Sequence, residues 1–185
     1  MNFDKLDPDE LLRLSLDAIK NNRDADAVVL LKTMLERDPG HNYAHYLLAA
    51  QYAQIGMFDR AEEGFRTVVT NEPALRIACF QLGQLLVMKG TLDEAKATFA
   101  PLLAQDDALG AYARAMHAVA DDNADDAVRE IDIGLALPQD IPALAHDMKR
   151  VRDRLRNVDE DAPQPMQAMP TTPAPIFLTG YGRGA

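Results

Sequence analysis

Apolar and polar positions recur along this chain at a fixed interval. Ala27, Ala61 and Ala95 stand 34 residues apart, each followed four residues later by a bulky apolar side chain, Leu31, Phe65 and Phe99, and three further on by Met34, Val68 and Leu102. Spacings of four and three put such residues on one stripe of an α-helix. Asn22, Gly56 and Gly90 share one offset upstream of the alanines and are residue types that tolerate the left-handed backbone of a tight helix-helix turn. Each unit therefore reads helix, turn, helix. Pro39 and Pro73 close the first two units at a shared offset, where proline cannot continue a helix. Asp107 holds that place in the third. In a fourth unit Ala127 and Ile131 come 32 rather than 34 residues after their counterparts, so two residues are missing in between. Agreement of several units at several positions predicts a stacked array of helix pairs.

A helical pair of this length with a small residue at its eighth position, Tyr or Leu at its eleventh, Ala at its twentieth and Pro at its thirty-second resembles the tetratricopeptide repeat. The second unit supplies Leu48, Ala49, Tyr52, Gly56, Ala61, Phe65 and Pro73, and the third Leu82, Gly83, Leu86, Gly90, Ala95 and Phe99. Leu14, Ser15, Ala18, Ala27, Leu31 and Pro39 fit more loosely in the first, and Ala115 is the clear match in the first helix of the fourth. The resemblance spans about residues 8 to 139. It implies an all-α fold: a right-handed α-solenoid of about four helix-turn-helix repeats.

Beyond the array, Pro142 opens a helix whose Leu144, Met148, Val151, Leu155 and Val158 form one stripe. A solenoid's last repeat exposes an apolar flank, and this helix is expected to cap it. Lys149, Arg150, Arg152, Arg154 and Arg156 make its other face basic, with Asp147 and Asp153 at hand to neutralise them. Composition then changes. Asp159, Glu160 and Asp161 precede Pro163, Pro165, Pro170, Pro173 and Pro175, which favour an extended chain. The expected division is an array with its capping helix over residues 1–158 and a proline-rich flexible tail over 159–185. That tail ends in Ile176, Phe177, Leu178, Tyr181 and Arg183, an apolar motif suited to docking in a groove of the same chain or of a neighbour, since tails otherwise lack such residues.

Composition narrows the function. Of 185 residues 48% are hydrophobic and none is Trp, so the core is built from aliphatic side chains, as helix packing favours. With 19 Lys and Arg against 29 Asp and Glu the formal charge is −10, which argues against nucleic acid as a partner. No apolar stretch suffices for membrane insertion. The opening residues lack a signal peptide's basic and apolar regions, and one cysteine makes no internal disulfide, so a cytoplasmic protein is expected. His41, His45, His117 and His146 are dispersed, Cys79 sits at an inward helix position, and the acid pairs Asp121-Asp122 and Asp125-Asp126 fall in a turn. The glycines near Tyr181 have no strand before or helix after them, as a phosphate loop requires. No enzyme, metal or cofactor is expected.

In the family resembled here, the first helix of each unit lines a concave face that binds peptides. The corresponding positions are occupied by Leu12, Tyr43, Tyr46, Ile77, Phe80, Gln84, Tyr112 and Met116. None is the Lys, Arg or Asn with which family members grip a C-terminal carboxylate, so the resemblance implies an apolar, aromatic groove instead. The expected function is a non-catalytic protein-protein interaction module, an adaptor or chaperone holding an apolar peptide segment. The alternative is a structural or regulatory subunit recruited through its tail motif. The partner is a protein or peptide in either case, and a homodimer through an exchanged tail is left open.

Overall fold

The structure, a computed structural model, describes residues 6–160. The described chain is helical throughout, with no strand: α1 (Pro8–Lys20), α2 (Asp24–Arg37), α3 (Asn42–Gln54), α4 (Phe58–Asn71), α5 (Arg76–Met88), α6 (Leu92–Phe99), α7 (Ala108–Ala120), α8 (Ala124–Ala136) and α9 (Pro142–Glu160). The first eight helices are joined in pairs by turns of one design. At Asn22, Gly56, Gly90 and Asp122 the backbone turns left-handed, with φ of 54°, 78°, 77° and 57°. In each case the next amide donates back across the helix end, from Arg23 to the Ala18 carbonyl, Met57 to Tyr52, Thr91 to Leu86 and Asn123 to Ala118. These bonds satisfy carbonyls that a helix end would otherwise leave without partners. Three of the four turn residues carry the sequence pattern; Asp122 is the fourth, 32 residues after Gly90.

Side chains cap the starts of α1, α3, α7 and α8. Asp7 and Glu10 form a reciprocal capping box at α1, and Asp107 and Asn123 accept from the amides of Gly110 and Asp126. The imidazole Nδ1 of His41 does the same for Ala44 at 3.1 Å. Asp107 thus starts a helix and does not end a unit as Pro39 and Pro73 do. The cause lies upstream: α6 stops at Phe99 after 8 residues and becomes a 3-10 turn at Ala100–Leu102, because Pro101 has no amide to continue it. The two missing residues fall here, where a tighter connection brings the next helix in early.

The described residues fall into two compact units, one ending at Cys79 and the other beginning at Phe80, within α5. In the first unit α1 packs on α2, α2 on α3 and α3 on α4. Its core holds Leu11, Leu31, Met34, Leu47, Phe65 and Val68, with Ala27 and Ala61 where helices meet closely, all at most 1% exposed. A methyl added at Gly64 would come within 2.7 Å of the Ala49 Cβ, a measure of how near α4 lies to α3. In the second unit Ala95, Phe99, Ala115, Ala127 and Ile131 are wholly buried. The alanines and bulky residues of the repeat pattern are therefore the packing residues it predicts.

Helix α9 departs from the expected cap in two ways. It runs to Glu160, two residues past the boundary read from composition, because acidic residues continue a helix that only Pro163 forbids. It also reaches beyond the flank of α8: the Gln84 amide of α5 meets the Met148 sulfur at 3.9 Å.

Candidate interaction surface

Within the first unit, α3 presents two tyrosines one turn apart. Tyr43 stacks on Tyr46 with ring centroids 5.9 Å apart and planes 22° from parallel. Tyr46 then leans on Phe65 of α4, centroids 6.2 Å apart at 49°. The inner ring is wholly buried and the outer one remains 38% exposed, so Tyr43 is an aromatic face fixed from behind by packed rings. Partial burial pushes its hydroxyl pKa up, so the phenol stays a neutral hydrogen-bonding group. Leu12 of α1 is half-buried and Ile77, at the end of this unit, is buried. Arg60 lies over the ring of Tyr52 at 5.7 Å from its centroid, on the far end of α3.

In the second unit the aromatic residues of the predicted groove are packing residues. Phe80 meets Phe99 with centroids 5.9 Å apart. The ring of Tyr112 lies so close to Gly134 that an added Cβ there would meet it at 2.4 Å. Both rings are at most 1% exposed. A long ring at this register folds back on the second helix of its own pair, a direction that periodicity alone does not report. Gln84 and Met116, at matching positions of α5 and α7, are 5% and 7% exposed. The tail residues Ile176, Phe177, Leu178, Tyr181 and Arg183 lie outside the described residues.

Polar side chains that carry chemistry elsewhere have structural partners here. His45 Nε2 is 2.8 Å from the Pro39 carbonyl, and His117 Nδ1 is 3.2 Å from Asp121. Burial pushes the Cys79 thiol up, away from the reactive thiolate. Among the described residues no cluster of His, Cys, Asp or Glu could hold a metal ion, and no helix is long and apolar enough to cross a membrane. Three residues of the basic face of α9 are tied down: Arg150 pairs with Asp147, Arg152 with Asp153 at 2.7 Å, and Arg152 and Arg156 both reach Asp132 of α8, at 2.9 and 2.6 Å. Asp132 escaped the sequence reading, since nothing in its neighbourhood marks it as the acceptor of a helix twenty residues on.

No protein-family model matches the chain, and no curated protein sequence matches it. Among solved structures it is similar to a thermophilic TPR protein of Thermus thermophilus, with a TM-score of 0.64 at 19% identity over 83% of this chain and 84% of that one. The chain has the tetratricopeptide-repeat fold. It is also similar to MamA, residue 41 to the end, from Desulfovibrio magneticus, with a TM-score of 0.60 at 16% identity over 83% and 89% of the two chains. At these identities the likeness is one of fold, and the tetratricopeptide-repeat architecture is what it carries over.

Proposed function

We propose that this protein is a non-catalytic interaction module, an adaptor or chaperone that binds an apolar, extended segment of a partner protein on the first helices of its repeats. The observation that carries the reading is Tyr43. Its ring is exposed, yet held by stacking on the buried Tyr46, and Leu12 is half-buried on the preceding first helix. Exposed aromatic anchors supported from behind are the residues on which protein recognition concentrates, because they bury much area with little loss of side-chain freedom. Tyr46 serves this surface from within, packed against Phe65 and fixing the helix that presents Tyr43. The reading is tested with a peptide library bound to the full-length chain and to Tyr43→Ala. Binders rich in aliphatic and aromatic residues should lose about tenfold in affinity on truncation, roughly the 1–2 kcal/mol of an aromatic anchor. A library that yields no binder, or binders indifferent to Tyr43, would overturn it.

A further inference from the structure

Helix α9 carries one stripe at intervals of four residues, Leu144, Met148, Arg152 and Arg156, and every member of it is engaged within the second unit. Leu144 and Met148 are 9% and 0% exposed, and the Met148 sulfur lies at 3.9 Å from the Gln84 amide of α5. Arg152 donates to one oxygen of Asp132 at 2.9 Å and Arg156 to the other at 2.6 Å. The receiving surface thus combines the buried Gln84 with an acid on α8 that takes two guanidinium groups.

This seat mixes polar with apolar groups. On α9 Leu144 and Met148 are buried and Val151 and Leu155 half-buried, while Asp147, 4% exposed, is a carboxylate taken out of water with the Arg150 guanidinium beside it. Surfaces that must separate are built this way, with polar groups that water can serve again on release, whereas permanent cores are apolar. The connection to α8 is short and latched at one residue. Gln139 donates to the carbonyls of Gly134 and Leu137 at 2.7 and 2.6 Å and accepts from the Tyr112 hydroxyl at 2.9 Å.

From these contacts we infer that α9 is a tethered ligand, occupying a docking surface of the second unit that also accepts a partner's amphipathic helix with aliphatic residues at i and i+4 and arginines at i+8 and i+12. Its residues all lie in the second unit, and it stands whether or not the Tyr43 surface binds a peptide. A tethered helix acts at an effective concentration of about a millimolar, so α9 keeps weak competitors out and sets the affinity a partner must exceed.

The test uses the full-length chain and a fluorescein-labelled synthetic peptide of residues 142–160. Met148→Asp in the chain loosens its own α9 and should tighten peptide binding at least tenfold over the unaltered chain. Tyr112→Phe, which removes only the hydroxyl that latches Gln139, should do so by about threefold and keeps the test open if Met148→Asp fails to fold. Asp132→Arg added to the loosened chain should abolish binding of this peptide and restore it for a peptide bearing Arg152→Glu and Arg156→Glu. That reciprocal charge effect is one that mere unfolding does not produce. Equal affinity for the unaltered, Tyr112→Phe and helical Met148→Asp chains would overturn the inference, as would loss of the charge pairing. A dimer of the unaltered chain that Met148→Asp converts to monomer would also overturn it, by making a second copy's α9 the occupant.

Discussion

At Asn22, Gly56, Gly90 and Asp122 the backbone must take a conformation that costs an L-residue roughly 1–2 kcal/mol and glycine nothing. Gly56 isolates that cost, because a Cβ added there meets nothing within 4 Å. Gly56→Ala should therefore destabilise the chain by about 1 kcal/mol through backbone strain alone, and Asp122→Gly should stabilise it by about 0.5–1 kcal/mol, both read from urea midpoints. Asparagine and glycine announced three of these turns; Asp122 reads from the sequence as a solvating acid in the fourth turn and not as its left-handed residue, since its register is two residues early. The same turn holds a second residue-scale test. Lys96 of α6 donates to Asp121 at 3.0 Å, and this contact holds the carboxyl below its ordinary value and the ammonium above its own. Asp121 then contributes stability above the ordinary carboxylate range, lost as pH falls through its lowered value, and Lys96 contributes below the ordinary ammonium range, lost as pH rises through its raised one. The difference in stability between the native chain and Asp121→Asn should be constant near neutrality and shrink as the pH falls through the acid range. A difference that persists in acid would place the effect of the substitution elsewhere.

The third helical pair shows how an element adjusts to two lost residues. Pro101 ends α6 early, and the shortened link so crowds Gly110 that a Cβ there would sit 2.2 Å from the Gln105 carbonyl oxygen. Arg114 completes the repair. It occupies the register of Leu48 and Leu82, yet donates to the carbonyls of Leu103 and Gln105, each at 3.0 Å, and to Glu130 of α8 at 2.8 Å. Arg114→Leu would restore the apolar residue of the other units and strand those acceptors, so it should cost about 2 kcal/mol where the repeat pattern alone expects a gain. Calorimetric melting of the variant decides between them. Helix pairing and the alternation of alanine with bulky residues were legible in the sequence because they obey a period. The repair was not, because it depends on which backbone groups a missing pair of residues leaves without partners.

On the scale of the whole molecule, the pattern marks which stripe of a helix is apolar but not the surface that receives it. Periodicity found Leu144 and Met148, and could not tell a flank of α8 from the Gln84 side of α5, since both offer buried neighbours. That difference sets how firmly α9 is held. Two buried apolar side chains give about 3–6 kcal/mol before the ordering of a helix is charged against them, and exposed arginine pairs add little. The helices beneath are fixed by wholly buried rings and branched side chains such as Phe99, Tyr112 and Ile131. Helix α9 should accordingly open as a local unit, at a lower free energy than α7. Native-state hydrogen exchange is expected to show α9 amides exchanging through an opening of about 2–4 kcal/mol while central α7 amides wait for global unfolding. Tyr112→Phe should speed exchange in α9 about threefold and leave α2 and α3 unchanged. Raising salt should speed it again, because the Asp132 pairs with Arg152 and Arg156 are partly exposed and screened. Amides of α9 and α7 that exchange at one common free energy would show that α9 is an inseparable part of the second unit.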